Sequence, residues 1–199
     1  MVVRMRSERE GDLSVRRRAR SVPGRVEAAL LVLMRMRTLA DIRVSDVIRE
    51  AGCSRGSFYR YYADLDDLLT RVVDEEARDY ARIVFQTIAA SAEGGRDSEG
   101  TYRLALEFAL HVRARADFYA LLLGGSPSVN LDGFCELAVS HFRELGEDSL
   151  PAGIDADFYY YVTTRTFLAC LRYWLDGPRE MTPEQFAEQV ALVTHAGQA

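Results

Sequence analysis

Residues 54–62 read SRGSFYRYY, and several side chains there carry chemistry that a plain surface helix does not need. Arg55 and Arg60 each hold a planar guanidinium that can donate two hydrogen bonds to a guanine edge, or one charge-assisted bond to a phosphate oxygen. Ser57 and Tyr59 bring hydroxyls that donate to phosphate oxygens, contacts that set register on a duplex without reading its bases. Gly56 removes the side chain that would hold a helix off a groove floor. Arg, Ser and Tyr also solvate ordinary helices, so no one of these residues is informative alone, and the combination carries the inference. Arg43, Ser45, Ser54 and Tyr61 complete the candidate DNA-binding set, with Arg43 and Tyr59 assigned to the backbone and Arg55 or Arg60 to base edges.

Two short helices must position these groups. Val44, Val47 and Ile48 place apolar side chains at i, i+3 and i+4, one face of a helix, and Ala51-Gly52 closes it with a residue suited to the left-handed cap. After a tight turn Ser54 is the N-cap of a second helix, in which Phe58, Tyr61 and Tyr62 can pack inward and the remaining residues face a partner. The spacing predicts a helix-turn-helix with the second helix as reader.

The run AGCSRGSFYRYYADLDDLL is similar to the signature Ala-Gly-Val-Ser-Arg-Gly-Thr-Phe-Tyr-Arg-His-Phe, then a loop and a Leu-rich helix, of tetracycline-repressor-like (TetR) transcription regulators. The resemblance covers about residues 22–75, and the chain length and helical remainder also suit that family. It departs at three positions: Arg43 stands where the family has a phosphate-holding threonine, Ile48 where it has a small residue, and Leu65 where it has a lysine. Arg43 can still reach phosphate; Leu65 cannot, which removes one backbone contact. The resemblance implies an all-α protein: an N-terminal three-helix helix-turn-helix domain followed by a helical ligand-binding and dimerisation domain. It further implies a homodimer on a palindromic operator in double-stranded DNA, with the last two long helices pairing with their symmetry mates.

Composition agrees with such a division. Residues 1–62 hold 14 Arg against 7 acids, and residues 63–199 hold 11 Arg against 23 acids, a basic reader and an acidic body. The chain of 199 residues, 48% apolar, can bury a real core. The three cysteines, Cys53, Cys135 and Cys170, are far apart and form no CxxC pair, so reduced thiols are expected and neither a disulfide framework nor a metal site. With no signal-peptide core and no run near the roughly 18 apolar residues of a membrane span, a cytoplasmic protein without membrane partners is expected.

Taken in order, residues 1–20, with RRRAR at 16–20, form a basic arm expected to lack structure when free. Residues 21–64 are assigned to the DNA-binding domain and 65–199 to the effector and dimerisation domain. Ser21 and Pro23 mark the start of a first helix with Val26, Leu30, Leu33 and Met34 inward. From Leu65 apolar residues recur to Ile88, a linking helix of about seven turns, and residues 91–100 read as a loop. A helix over 101–115 is apolar on most sides, as a central buried helix should be. Aromatic residues crowd the body beyond what packing needs, which predicts a mostly apolar effector site. Its candidate residues are Tyr102, Phe108, Phe118, Phe134, Tyr159, Phe167, Cys170 and Trp174, with Arg103, His111, His141 and Arg165 to orient a ligand. The segment 155–176 is apolar around much of its circumference, and Thr182-Pro183 restarts a final helix. Phe158, Leu168, Leu171, Leu175, Phe186, Val190 and Val193 are the candidate dimer interface.

Function follows from these parts. The reading is a homodimeric regulator, most simply a repressor released by a small, largely apolar or aromatic effector. An enzyme would draw on Cys135, Cys170, His111, His141 or His195, but their spacing forms no catalytic pattern and no HExxH, GxSxG or phosphate loop is present. No catalytic residue, metal or cofactor is therefore assigned. The alternative is an architectural or division-related DNA-binding protein on the same scaffold, without an effector.

Overall fold

In the computed structural model, residues 21–94, 98–146, 150, 153–177 and 180–195 are described, and side chains at 87–94, 98 and 194–195 are not among them. The basic arm at 1–20 and residues 95–97 of the expected loop lie outside that set, as do the side chains of Thr87, Ile88 and His195. The described residues form nine α-helices and a short 3₁₀ turn, with no strand among them. They are α1 (Val22–Met34), the 3₁₀ turn Leu39–Asp41, α2 (Val44–Ala51), α3 (Arg55–Tyr59), α4 (Leu65–Gly94), α5 (Ser98–Ala114), α6 (Ala116–Leu123), α7 (Leu131–Leu145), α8 (Ala156–Asp176) and α9 (Pro183–His195).

The chain divides into two compact units between Val72 and Val73, inside α4. This lies two turns beyond the expected boundary at 64/65. The reason is packing: Leu68, Leu69 and Val72 on the first turns of α4 are buried with the N-terminal unit. In that unit Ser21 Oγ accepts from the Gly24 amide at 3.2 Å to start α1. Val26, Leu30, Leu33 and Met34 are buried as expected, and α1 packs on both α2 and α3.

In the second unit α4 runs further than its pattern suggested. It continues through Ser91 to Gly94, and α5 begins at Ser98, so most of the expected 91–100 loop is helical. Ser, Ala and Glu at 91–93 lack an apolar stripe but do not oppose a helix, and only the glycine at its end stops it. The remainder of α4 is the core of this unit: Ala77, Tyr80, Ala81 and Val84 are buried. Helix α5 is only half inside. Ala105, Phe108, Ala109 and Val112 are buried, whereas Arg103, Glu107, Leu110 and Arg113 form an exposed side, so the helix is covered on one side rather than on most.

The later helices start on side-chain caps. Asn130 Oδ1 accepts from the Gly133 amide at 2.6 Å, and Asp155 Oδ1 from the Phe158 amide at 2.8 Å. Thr182 and Gln185 form a reciprocal capping box at the start of α9, at 2.9 and 3.3 Å. Helix α9 packs along α5 and α8 packs against α7. None of the described helices is long and apolar enough to cross a membrane.

Candidate nucleic-acid interface

The candidate reader is built from caps outward. Arg43 is the N-cap of α2, but its side chain has no acceptor, so Asp46 completes the cap by accepting from the Arg43 amide at 3.1 Å. Asp46 also accepts from Arg49 at 2.8 Å and Arg37 at 3.5 Å. The backbone hydrogen bond from Arg43 is the main cause that holds its carboxyl below the usual aspartate range. Helix α2 ends at Gly52 with φ 58° and ψ 43°, and the Cys53 amide returns to Ile48 O at 3.2 Å. This left-handed cap strains any residue but glycine, and it turns the chain sharply enough to start α3 two residues on.

Ser54 caps α3 by accepting from the Ser57 amide at 3.0 Å, and its Oγ lies 2.9 Å from Ser57 Oγ. Phe58 is fully buried, edge-on to Tyr59 at 5.3 Å and tilted against Tyr62 at 5.7 Å. Tyr61 does not pack inward as one reading had it: it is 40% exposed while Tyr62 is buried. At 100° per residue Tyr62 returns closer to the azimuth of Phe58 than Tyr61 does, and it is Tyr62 that joins the core. Arg55, Gly56, Tyr59, Arg60 and Tyr61 are all exposed, with Tyr59 at 47% and the Arg55 guanidinium 5.6 Å from its ring centroid. A Cβ added at Gly56 would meet only Ser54 Oγ, at 4.0 Å, so nothing within the protein requires glycine there.

Val44 and Ile48 are half-buried rather than core, and Val47 and Ala51 alone on α2 are buried. The half-buried pair joins Arg43, Ser45, Arg49, Gly52, Cys53 and Arg55 around a concavity of about 550 Å³. Arg43, Ser45 and Arg55 therefore share one surface. At Leu65, the surroundings are acidic: Asp64 accepts from the Asp67 amide at 2.8 Å and Asp67 from the Ala63 amide at 2.9 Å. A cap made of carboxylates suits the positive end of a helix and repels phosphate, which agrees with the missing lysine contact.

The expected effector residues separate into two groups. Phe108, Phe118 and Phe134 are fully buried in a continuous ring cluster about Tyr80, which lies 5.3 Å from Phe108, 5.8 Å from Phe134 and 6.1 Å from Phe142. His141 is buried between Asp74 at 2.8 Å and Glu144 at 3.3 Å. His111, half-buried, stacks on Phe108 and stands 3.3 Å from Glu76. Tyr102, Tyr159, Phe167 and Cys170 are half-buried, with Phe167 edge-on to Phe108 at 5.0 Å. Three residues fall elsewhere. Arg103 is on the exposed side of α5, 3.7 Å from Glu99. Arg165 pairs with exposed Asp132 and lies 5.1 Å from the Tyr161 ring centroid. Trp174 stacks on Phe186 at 4.6 Å and donates to Met181 O at 2.9 Å, so it closes the α8–α9 corner.

Sequence reasoning missed the charged centre of the body. Glu76 is buried, bound to Arg115 and facing His111. Burial alone would raise its carboxyl, but the hydrogen bond with His111 and the charge of Arg115 outweigh it and hold the group low. The signal was available: Val72, Glu76, Tyr80 and Val84, all buried, recur every four residues, and a glutamate in such a row needs an internal partner.

The expected dimer set is also divided. Phe158 and Val193 are 68% and 75% exposed, and Leu175 is exposed too, but Leu168, Leu171 and Phe186 are buried inside the protomer, and Val190 is half-buried. Thr164, Leu168 and Leu171 lie at i, i+4 and i+7, the inner stripe of α8, and its outer apolar side is instead Phe158, Tyr161, Val162 and Tyr173.

No protein-family model matches this chain. Solved structures do. The fatty acid degradation regulator FadR from Bacillus halodurans superposes with a TM-score of 0.58 at 16% identity, covering 88% of this chain and 95% of that one. A TetR-family transcriptional regulator from Syntrophomonas wolfei gives 0.58 at 14% identity, with 89% and 95% covered. This is the TetR-regulator fold. The FadR of Bacillus subtilis, solved in complex with stearoyl-CoA, matches at 0.54 and 12% identity over 87% and 97% of the chains. In this chain the helix-turn-helix of α2 and α3 lies in the N-terminal unit, and α4 from Val73 on, with α5 to α9, forms the second unit.

Proposed function

We propose that this protein is a DNA-binding transcription regulator, a homodimeric repressor that leaves a palindromic operator when a small, largely apolar or aromatic effector fills the body. One observation supports the DNA-binding part most: Phe58, with Tyr62 just beyond the helix, locks α3 into the core while Arg55 and Tyr59 on the same five-residue helix and Arg60 at its C-cap stay exposed, beside a glycine with no internal need to be one. Cationic and hydroxyl donors on a rigid, exposed helix are what direct readout requires. Dimerisation is supported by the outer apolar side of α8 with Leu192 and Val193 of α9, since so small a reader needs a second half-site for affinity. Helix α4 belongs to both units and is the covalent element through which a ligand in the body can bias the reader. A tenfold loss of operator affinity needs only about 1.4 kcal/mol of differential binding.

An effector-free architectural protein is the second reading, favoured by the closed ring packing of Phe108, Phe118 and Phe134. Binding selection from a random duplex pool, followed by Arg55→Ala and Arg60→Ala, tests the first reading. One arginine change should cost about 1–3 kcal/mol on the selected site and relax preference at one position, and Tyr59→Phe should weaken all duplexes alike. Unchanged affinity in all three variants would remove α3 as the reader. Release of the selected duplex by a small molecule separates the repressor from the architectural protein.

A further inference from the structure

The core of the second unit contains hydroxyls that the fold uses poorly or not at all. Tyr80 on α4, Tyr119 on α6 and Thr164 on α8 are fully buried; Tyr80 and Thr164 have only each other, outside normal hydrogen-bond geometry, and the Tyr119 hydroxyl makes no hydrogen bond to another protein group. They share one neighbourhood. Both tyrosine rings stand edge-on to Phe108, at 5.3 and 6.3 Å, and the Thr164 hydroxyl lies beside the Tyr80 phenol. A buried hydroxyl with no partner, or with one only at poor geometry, is a standing cost to stability, and Phe, Phe and Val would fill the same space without it. Polar groups retained against that cost mark a place where something else completes the hydrogen bonds.

The chemistry of the neighbourhood restricts what that is. Burial raises both phenols well above the usual tyrosine range, so they remain protonated donors. Arg115 is already held by Glu76, and at the Tyr119 hydroxyl the Glu76 carboxylate outweighs Arg115. An incoming carboxylate would meet a carboxylate. An incoming ammonium would find Glu76 occupied by Arg115 and His111. The surrounding walls are the rings of Phe108, Phe134 and Phe167. We propose that Tyr80, Tyr119 and Thr164 anchor the effector through an uncharged oxygen acceptor, a carbonyl or ether carried on an apolar body. The proposal rests on the effector reading above and specifies its ligand class.

Four compounds of matched shape test it on the full-length chain: 2-acetonaphthone, 2-naphthoate, 1-(2-naphthyl)ethylamine and 2-ethylnaphthalene. In the ligand-free protein, Tyr119→Phe should raise Tm, because it removes an unsatisfied buried hydroxyl. The ketone should bind at least about tenfold more tightly than the other three, and either Tyr80→Phe or Tyr119→Phe should weaken it by about tenfold. A lowered Tm in Tyr119→Phe would show its hydroxyl to be structural and overturn the proposal. So would binding of the carboxylate or amine at the ketone's affinity, or binding by none of the four. Binding of the ketone that depends on both tyrosines yet leaves operator affinity unchanged would keep the ligand class and sink the effector reading instead.

Discussion

The Tyr62 hydroxyl donates to Glu27 Oε1 at 3.0 Å across 35 residues of sequence, both groups buried, and so ties the turn that follows α3 to the middle of α1. Arg71 stands 5.9 Å from the Tyr62 ring centroid and closes the other side. The family-like phenylalanine at this position would bury the same ring without the hydrogen bond. Tyr62→Phe should therefore lower stability of the N-terminal unit by about 1–2 kcal/mol, since a buried carboxylate loses a donor. Urea unfolding followed by tyrosine fluorescence reads this out, and an unchanged midpoint would show the bond to be unimportant.

Gly56→Ala separates folding from binding. No protein atom lies closer than 4.0 Å to the added Cβ, and alanine favours a helix over glycine by about 0.5–1 kcal/mol. The variant should unfold at slightly higher urea. Its affinity for duplex DNA should fall, because the methyl occupies the surface that approaches the groove. A variant that is both more stable and binds equally well would place the DNA elsewhere.

The split of the apolar residues on α8 gives paired expectations. Phe158→Asp and Val193→Asp change exposed positions, so each should leave the protomer folded while sedimentation shows dissociation and DNA binding weakens. Leu168→Asp puts a charge into a buried stripe and should unfold the second unit outright. If Phe158→Asp and Val193→Asp both sediment as the parent does, the outer side of α8 and α9 is not the interface.

Glu76 sets an acid limit on the body. Its folded carboxyl is held below its ordinary value, net of the opposing effect of burial, by His111 and Arg115. A depressed folded pKa means the contribution is fully present above the unfolded value, near 4.3, and is lost as pH falls through that value toward the folded one. Thermal unfolding should show this loss below about pH 4.3 in the parent. In Glu76→Gln the loss should be smaller, and stability at neutral pH lower by about 3 kcal/mol, because Arg115 is left without its counter-charge. Parallel acid profiles for the two proteins would show that Glu76 does not govern the limit.

Local signals determined much of this protein directly. The Ala51-Gly52 stop, the Ser54 cap and the Phe58 to Tyr62 spacing specify α2, its turn and α3, because caps and helical periodicity act over four or five residues and read the same in any context. The caps at Ser21, Asn130 and Thr182 were legible for the same reason. Only the tertiary structure decided which side of an apolar helix faces in. Leu168 and Phe158 look alike in a sequence, yet one meets the protomer's own core and the other faces outward. It also decided that Arg115 and His111 gather on the buried Glu76, because residues 39 apart in the chain meet only once α4 and the end of α5 are packed. The poorly partnered hydroxyls of Tyr80, Tyr119 and Thr164 come from three different helices, and whether a buried hydroxyl finds a partner is settled by the geometry of all three at once.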